Sequence, residues 1–175
     1  MADRLRLATA SLAGCFGCHM SLLDLDEELA RLADVVDVVR SPLVDRREAA
    51  FDVCLVEGGV CNTDNLEVLR DLRIRSKLLI AVGACALNGG VPALRNGFSV
   101  AACLEEAFHD EMSPRVPDDP ELPQLLDKVR PIHEFVRVDF SIPGCPPPPR
   151  AFWETLSCIA RGEKPAISAD LLRYD

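Results

Sequence analysis

The sequence predicts an α/β domain built on an open, mostly parallel sheet with helices on both faces. Three observations carry that prediction. Short continuous apolar runs recur along the chain, as in strands that are covered on both sides. They are followed by glycine-bearing loops and then by helical patterns, the order of a doubly wound sheet. Three of the loops that follow strands carry cysteine, and ligands in such sheets bind outside the strands' carboxyl ends. The cysteine loops are therefore expected to meet at one rim.

Leu5 to Leu12 reads as the first strand and ends at Gly14 in the loop AGCFGC. From Met20 to about Val35, the residues Leu22, Leu25, Leu29 and Leu32 recur at helical spacing, which predicts one amphipathic helix. The acidic residues from Asp24 to Glu28 are its solvated face. Val35 to Val39 and Phe51 to Val56 give the second and third strands. After Glu57, Gly58 and Gly59, the polar run Asn62-Thr63-Asp64 suits the cap of a helix that carries Leu66, Leu69 and Leu72. Lys77 to Val82 is the clearest strand and runs straight into Gly83-Ala84-Cys85.

Residues 101–108 suit a helix. Residues 110–131 contain Pro114, Pro117, Pro120, Pro123 and Pro131, and predict an irregular excursion fit for a covering flap or a partner contact. Phe135 to Ile142 alternates with the period of a half-buried strand, as at a sheet edge. It ends in Pro143-Gly144-Cys145 and four prolines, of which Pro149 fits the first turn of a helix from about Arg150 to Arg161. The tail beyond Lys164 reads as surface, and no internal repeat is present.

At 175 residues the chain fits one domain spanning 1–175. Apolar residues make up 49% and the mean hydropathy is +0.11, so the chain folds and has apolar surface to spare for a partner. A formal net charge of −9 repels phosphate backbones and acidic membrane surfaces, which excludes nucleic acid and membranes as partners. No run approaches the roughly 18 apolar residues of a membrane helix, and the opening MADRLRLATASLAGC lacks a uniform apolar core. The expectation is a soluble, unexported protein. Thiols stay reduced in that setting, so its eight cysteines point to metal ligation rather than a disulfide framework.

The candidate pattern is Cys15-x2-Cys18, then 66 residues to Cys85, then 59 residues to Cys145. A C-x2-C turn supplies two neighbouring corners of an iron-sulfur cube and separate loops supply the others. Gly14, Gly17, Gly83 and Gly144 stand beside these cysteines and allow the backbone to approach the sulfurs. Spacing alone leaves zinc and a redox dithiol open. Structural zinc sites usually show a second short-spaced pair, however, and a dithiol leaves Cys85 and Cys145 without a role.

The other cysteines read differently. Cys54 lies inside an apolar strand, and Cys103 and Cys158 lie in helices, so all three are packing residues. Cys61 shares a glycine-rich loop with Glu57 and reads as a non-ligand. Glu57 suits either a hydrogen bond near the centre and proton movement, or a backbone-bonded structural role. His19 suits a contact with the centre or partner, or a solvent-facing position at a helix start. Phe152 and Trp153 read as core. No phosphate-binding glycine fingerprint is evident, which leaves flavin mononucleotide unassigned.

Four segments, CFGCHMSLLDLDEEL, VEGGV at 56–60, VGACALNGGVPALRN at 82–96 and IPGCPPPPRAFWETL at 142–156, give the sequence a strong resemblance to the small subunit of NiFe hydrogenases. The resemblance is to the short form found in cytoplasmic NAD-reducing enzymes, and it covers most of the chain. It implies a flavodoxin-like three-layer fold with one 4Fe-4S cluster on Cys15, Cys18, Cys85 and Cys145. It also implies a NiFe site in a partner large subunit, with diaphorase subunits carrying flavin and further clusters. The chain itself is then expected to hold no active-site residue. Periplasmic and membrane-bound relatives carry a twin-arginine signal and extra C-terminal cysteines, neither of which this sequence shows. The related quinone-reducing subunit usually has adjacent cysteines at the first ligand position, whereas here Phe16 and Gly17 separate Cys15 from Cys18.

Overall fold

The computed structural model describes residues 4–108, 119 and 121–172. Eight strands are present among them: β1 (Leu5–Ser11), β2 (Val36–Ser41), β3 (Val44–Arg47), β4 (Phe51–Glu57), β5 (Val60–Asn62), β6 (Ser76–Val82), β7 (Leu125–Arg130) and β8 (Phe140–Ile142). Six helices accompany them: α1 (Gly17–Leu23), α2 (Glu27–Val35), α3 (Thr63–Arg75), α4 (Gly83–Asn88), α5 (Val100–Ala107) and α6 (Pro149–Ala160).

The main sheet runs β3-β2-β1-β4-β6-β8, parallel throughout except for the short antiparallel β3 at its edge. Its parallel strands have the 2-1-3-4-5 order of flavodoxin-like folds, as expected. Successive side chains on a strand point to opposite faces, and the apolar runs feed two cores accordingly. Leu7, Val53, Leu55, Ile80 and Val82 pack with α1, α2 and α6 on one side, where Leu22, Leu32, Phe152 and Leu156 are buried. Ala8, Cys54, Val56, Leu79 and Ala81 pack on the other side against Leu69 and Leu72 of α3 and Ala86 of α4. Phe152 and Cys54 are core residues, and Trp153 packs at the margin.

The register matters most for function. Ser11 pairs with Glu57, Glu57 with Val82 and Val82 with Ile142, so four neighbouring strands end in one row. Beyond these ends lie Cys15 in the loop after β1 and Cys18 in the first turn of α1, Cys85 in the first turn of α4 directly after β6, and Cys145 in the loop after β8. The order of strands reverses between β1 and β4, and the cysteine loops gather around that switch point.

Several sequence expectations need correction. The helix expected from Met20 to Val35 is two helices, broken where Asp26 adopts a positive φ of 50°. Leu25, in the break, is still buried, which is why the leucine spacing runs on across it. Of the strand expected over Phe135 to Ile142, only Phe140–Ile142 is extended. Asp139 instead turns its carboxylate to the Leu79 N–H and Arg73, while Val136 and Val138 pack on the α3 side. Residues 109–118 and 120 of the expected excursion lie outside the described residues. Leu125–Arg130 forms β7, which pairs with β5 in a separate two-stranded sheet. Behind Lys164, Ile167 and Leu171 pack against the core rather than lying free on the surface.

Candidate metal centre

Each cysteine loop is tied to the others through backbone and side-chain bonds. Leu12 N–H donates to the Glu57 carbonyl at 2.9 Å, and Ala13 and Gly59 exchange two backbone bonds at 3.0 and 2.8 Å, which fixes the path leading to Cys15. Ala84 N–H donates to the Gly144 carbonyl at 2.8 Å, joining the Cys85 loop to the Cys145 loop. The buried Ser21 hydroxyl of α1 donates to the Pro147 carbonyl, joining the first loop to the third. The peptide bond between Cys145 and Pro146 is cis.

The four thiols form an inner and an outer pair. Cys18 and Cys85 are half-buried, and Cys15 and Cys145 are exposed. They are close enough to perturb one another. Burial pushes the Cys18 thiol strongly up, and Glu57, Cys85 and Cys15 push it further. Burial also raises Cys85, with Cys145, Cys15 and Glu57 adding to it, while the Val91 N–H pulls the other way. Packed thiolates beside a carboxylate are costly without a compensating cation. A metal centre supplies one, so the donor set fits an iron-sulfur cluster.

Two glycines shape the inner pair. Gly83 sits at φ +77°, and a β-carbon there would collide with the Cys18 sulfur. Gly90 sits at φ +49°, and its β-carbon would lie 2.7 Å from the Cys85 sulfur. Gly83 stands out in the sequence beside its cysteine. Gly90 does not, although the doublet Gly89-Gly90 after CALN is its visible trace.

The principal residues that sequence reasoning leaves open are His19 and Glu57. His19 is only 4% exposed and Glu57 only 3%, so the solvent-facing alternative for His19 is overturned. Glu57 Oε1 accepts from the Ser11 hydroxyl at 2.8 Å, and Oε2 accepts from the His19 backbone N–H at 2.9 Å. His19 Nδ1 lies 3.0 Å from Oε2, off the line of a well-aligned hydrogen bond. Its Nε2 lies 2.8 Å from the Thr9 hydroxyl. Burial pushes the Glu57 carboxyl up, but bonds from His19 and Ser11 outweigh it and leave the group below its ordinary value. The ring of Phe16, a residue at φ 67°, stacks on His19 with centroids 4.4 Å apart and so closes the pair from outside.

The remaining cysteines have other surroundings. Cys54 is buried, and burial pushes its thiol up to about 12. Cys61 donates to the Asn65 side chain at 3.2 Å, and Cys158 accepts from Arg161 at 3.4 Å. Cys103 lies half-buried in α5.

This fold and loop set match those of known oxidoreductase subunits. Residues 15–159 match the family described as NADH ubiquinone oxidoreductase, 20 Kd subunit, and the chain belongs to that family. Within it the likeness is to the small subunits of NAD-reducing NiFe hydrogenases. The delta subunit of the NAD-reducing hydrogenase HoxS of Cupriavidus necator is 39% identical over 180 residues, covering 98% of this chain and 86% of its own. A crystal structure of an NAD+-reducing NiFe hydrogenase in the H2-reduced state contains a chain 51% identical to this one, with a TM-score of 0.94 and 99% and 100% of the two chains covered. One component of the F420-non-reducing hydrogenase vhu of Methanocaldococcus jannaschii is 34% identical, and the match spans 95% of this chain and 60% of that one. A NiFeSe hydrogenase of Desulfomicrobium baculatum, at 20% identity and a TM-score of 0.63, shares the fold. Among the described residues no helix is long and apolar enough to cross a membrane.

Proposed function

We propose that this chain holds one 4Fe-4S cluster on Cys15, Cys18, Cys85 and Cys145, and passes single electrons between a NiFe site in a partner large subunit and diaphorase subunits that serve NAD. The chain works in the cytoplasm as one domain, with hydrogen as donor and NAD as acceptor, and in reverse when NADH is in excess. When bound, such a cluster supplies a one-electron acceptor and donor.

The observation that carries the reading is the shared ending of β1, β4, β6 and β8, with all four thiols on the loops beyond it. The chain's own work is to hold these thiols. Ser21 and the Ala84–Gly144 bond lock the three loops together, so the donors are arranged before any metal enters. The exposed Cys15 and Cys145 lie on the side open to a partner. Met20, just past the first pair, and Val91, Leu94 and Phe98, just past Cys85, are exposed apolar residues suited to the large subunit. A structural zinc ion is less well served, because such sites usually draw on two short-spaced ligand pairs and this chain offers one, Cys15 and Cys18.

The family description favours one other reading, a cluster-bearing subunit of a quinone reductase. Anaerobic purification of the complex separates the possibilities. The hydrogenase reading expects a brown complex with iron and sulfide on this chain and nickel in the large subunit. A nickel-free partner would favour the quinone reductase, and a colourless chain with one zinc would overturn both.

A further inference from the structure

Among the described residues, no Lys or Arg side chain stands against the buried Glu57 carboxylate, although it ends the central strand of the site. Its partners are the Ser11 hydroxyl, the His19 backbone N–H and the His19 ring. The ring is held in turn by Thr9 at Nε2, by the contact of Thr9 with Ser41 at 2.7 Å, and by the stacked Phe16. Two residues thus hold the carboxylate, and Thr9, Ser41 and Phe16 hold the ring beside it.

What the carboxylate faces is the inner thiol. Thr9, Cys18, His19 and Glu57 line one small void closed by Leu22, Leu55, Val82 and Phe152. Its volume is about 10 Å³, space for one water at most. Charges facing each other across so little solvent are weakly screened. Glu57 and Cys18 share this void, so the carboxylate stands against the sulfur of the inner thiol with little water between them.

We propose that Glu57, oriented by His19, Ser11 and Thr9, is a tuning residue whose negative charge lowers the reduction potential of the centre held by Cys18 and its three partner thiols. The inference rests on the cofactor reading given above. A centre held there would be reduced by one electron from the large subunit and re-oxidised by passing one electron onward, with no bond made or broken in the chain. A negative charge fixed beside the Cys18 sulfur would oppose the added electron.

The test uses the intact complex, purified anaerobically with Glu57→Gln and with Glu57→Asp, and reads iron and sulfide content and the midpoint potential by redox titration with electron paramagnetic resonance. Equal iron in all three proteins, a potential raised in Glu57→Gln and a potential near wild type in Glu57→Asp are expected. A loaded Glu57→Gln protein with the wild-type potential would overturn the inference. So would a Glu57→Asp protein shifted as far as Glu57→Gln, since geometry rather than charge would then be at work. If Glu57→Gln fails to load, Ser11→Ala carries the test, because it removes one donor and leaves the charge. Its potential is expected to fall below wild type, and an unmoved potential would overturn the claim. A wild-type complex without iron would overturn the cofactor reading, and this inference with it.

Discussion

Strand β4 has an acidic residue near each end, and the two are partnered in opposite ways. Asp52, near the amino end, sits between Arg6 on β1 and Lys77 on β6, which lie 3.4 and 2.8 Å away. It also accepts the Arg6 backbone N–H at 2.9 Å. Glu57, at the carboxyl end, meets no Lys or Arg among the described residues and faces thiols instead. Both carboxyls are held below their ordinary values against the cost of burial, Asp52 chiefly by Lys77 and Arg6, Glu57 chiefly by hydrogen bonds from His19 and Ser11. The first arrangement closes on itself and stabilises the sheet. The second is held by hydroxyl, amide and imidazole groups and is directed at the thiols, and that asymmetry marks the working end of the fold.

Disturbing the carboxyl end should have the largest effect. Gly83→Ala keeps every thiol but drives a methyl group into the Cys18 sulfur at a backbone angle that costs an L residue about 1–2 kcal/mol. Iron analysis of the purified complex is expected to show loss of most of the metal, as in Cys145→Ser, together with loss of hydrogen-dependent NAD reduction. Full iron in Gly83→Ala would mean that the inner pair is not held as tightly as the structure indicates.

At the amino end the expected effect is on stability alone. The Asp52 carboxyl is lowered from the ordinary 3.8 to about 2. Because water screens a pair this close to the surface, that depression corresponds to about 1 kcal/mol of stability. A lowered folded-state value means that the stability is present above the ordinary aspartate value and is lost as pH falls through about 2. Asp52→Asn should therefore lower the unfolding free energy by about 1 kcal/mol at neutral pH with iron content unchanged, and the gap from wild type should close on acidification. The smallest effect is expected on the surface. Arg150 and Glu154 form an exposed i,i+4 pair 4.0 Å apart, and denaturant titration of Arg150→Ala should show a change of no more than about 0.5 kcal/mol.

The same contrast explains how much is legible in the sequence. Strands β1, β4 and β6 are covered on both faces over most of their length, so their inner residues are largely apolar and their ends, with the cysteines beyond them, can be read directly. Glu57 is visible as the residue where VEGG leaves the sheet, but its role is not, because its partners Ser11 and His19 lie 46 and 38 residues away. The burial of His19 is hidden for a similar reason, since it depends on a positive φ at Phe16 and on Thr9 from β1. Strand β7 escapes notice because it is mostly exposed and exists only through pairing with β5. The false strand over 135–139 shows the converse, an alternating pattern produced by turns in which Arg137 and Asp139 pair with each other while Val136 and Val138 pack inward.

The most direct measurement is an anomalous difference map, recorded at the iron edge from anaerobic crystals of the complex. The account predicts a single four-iron peak lying among the sulfurs of Cys15, Cys18, Cys85 and Cys145. A peak displaced to Cys61 or Cys158, or no iron on this chain, would contradict it.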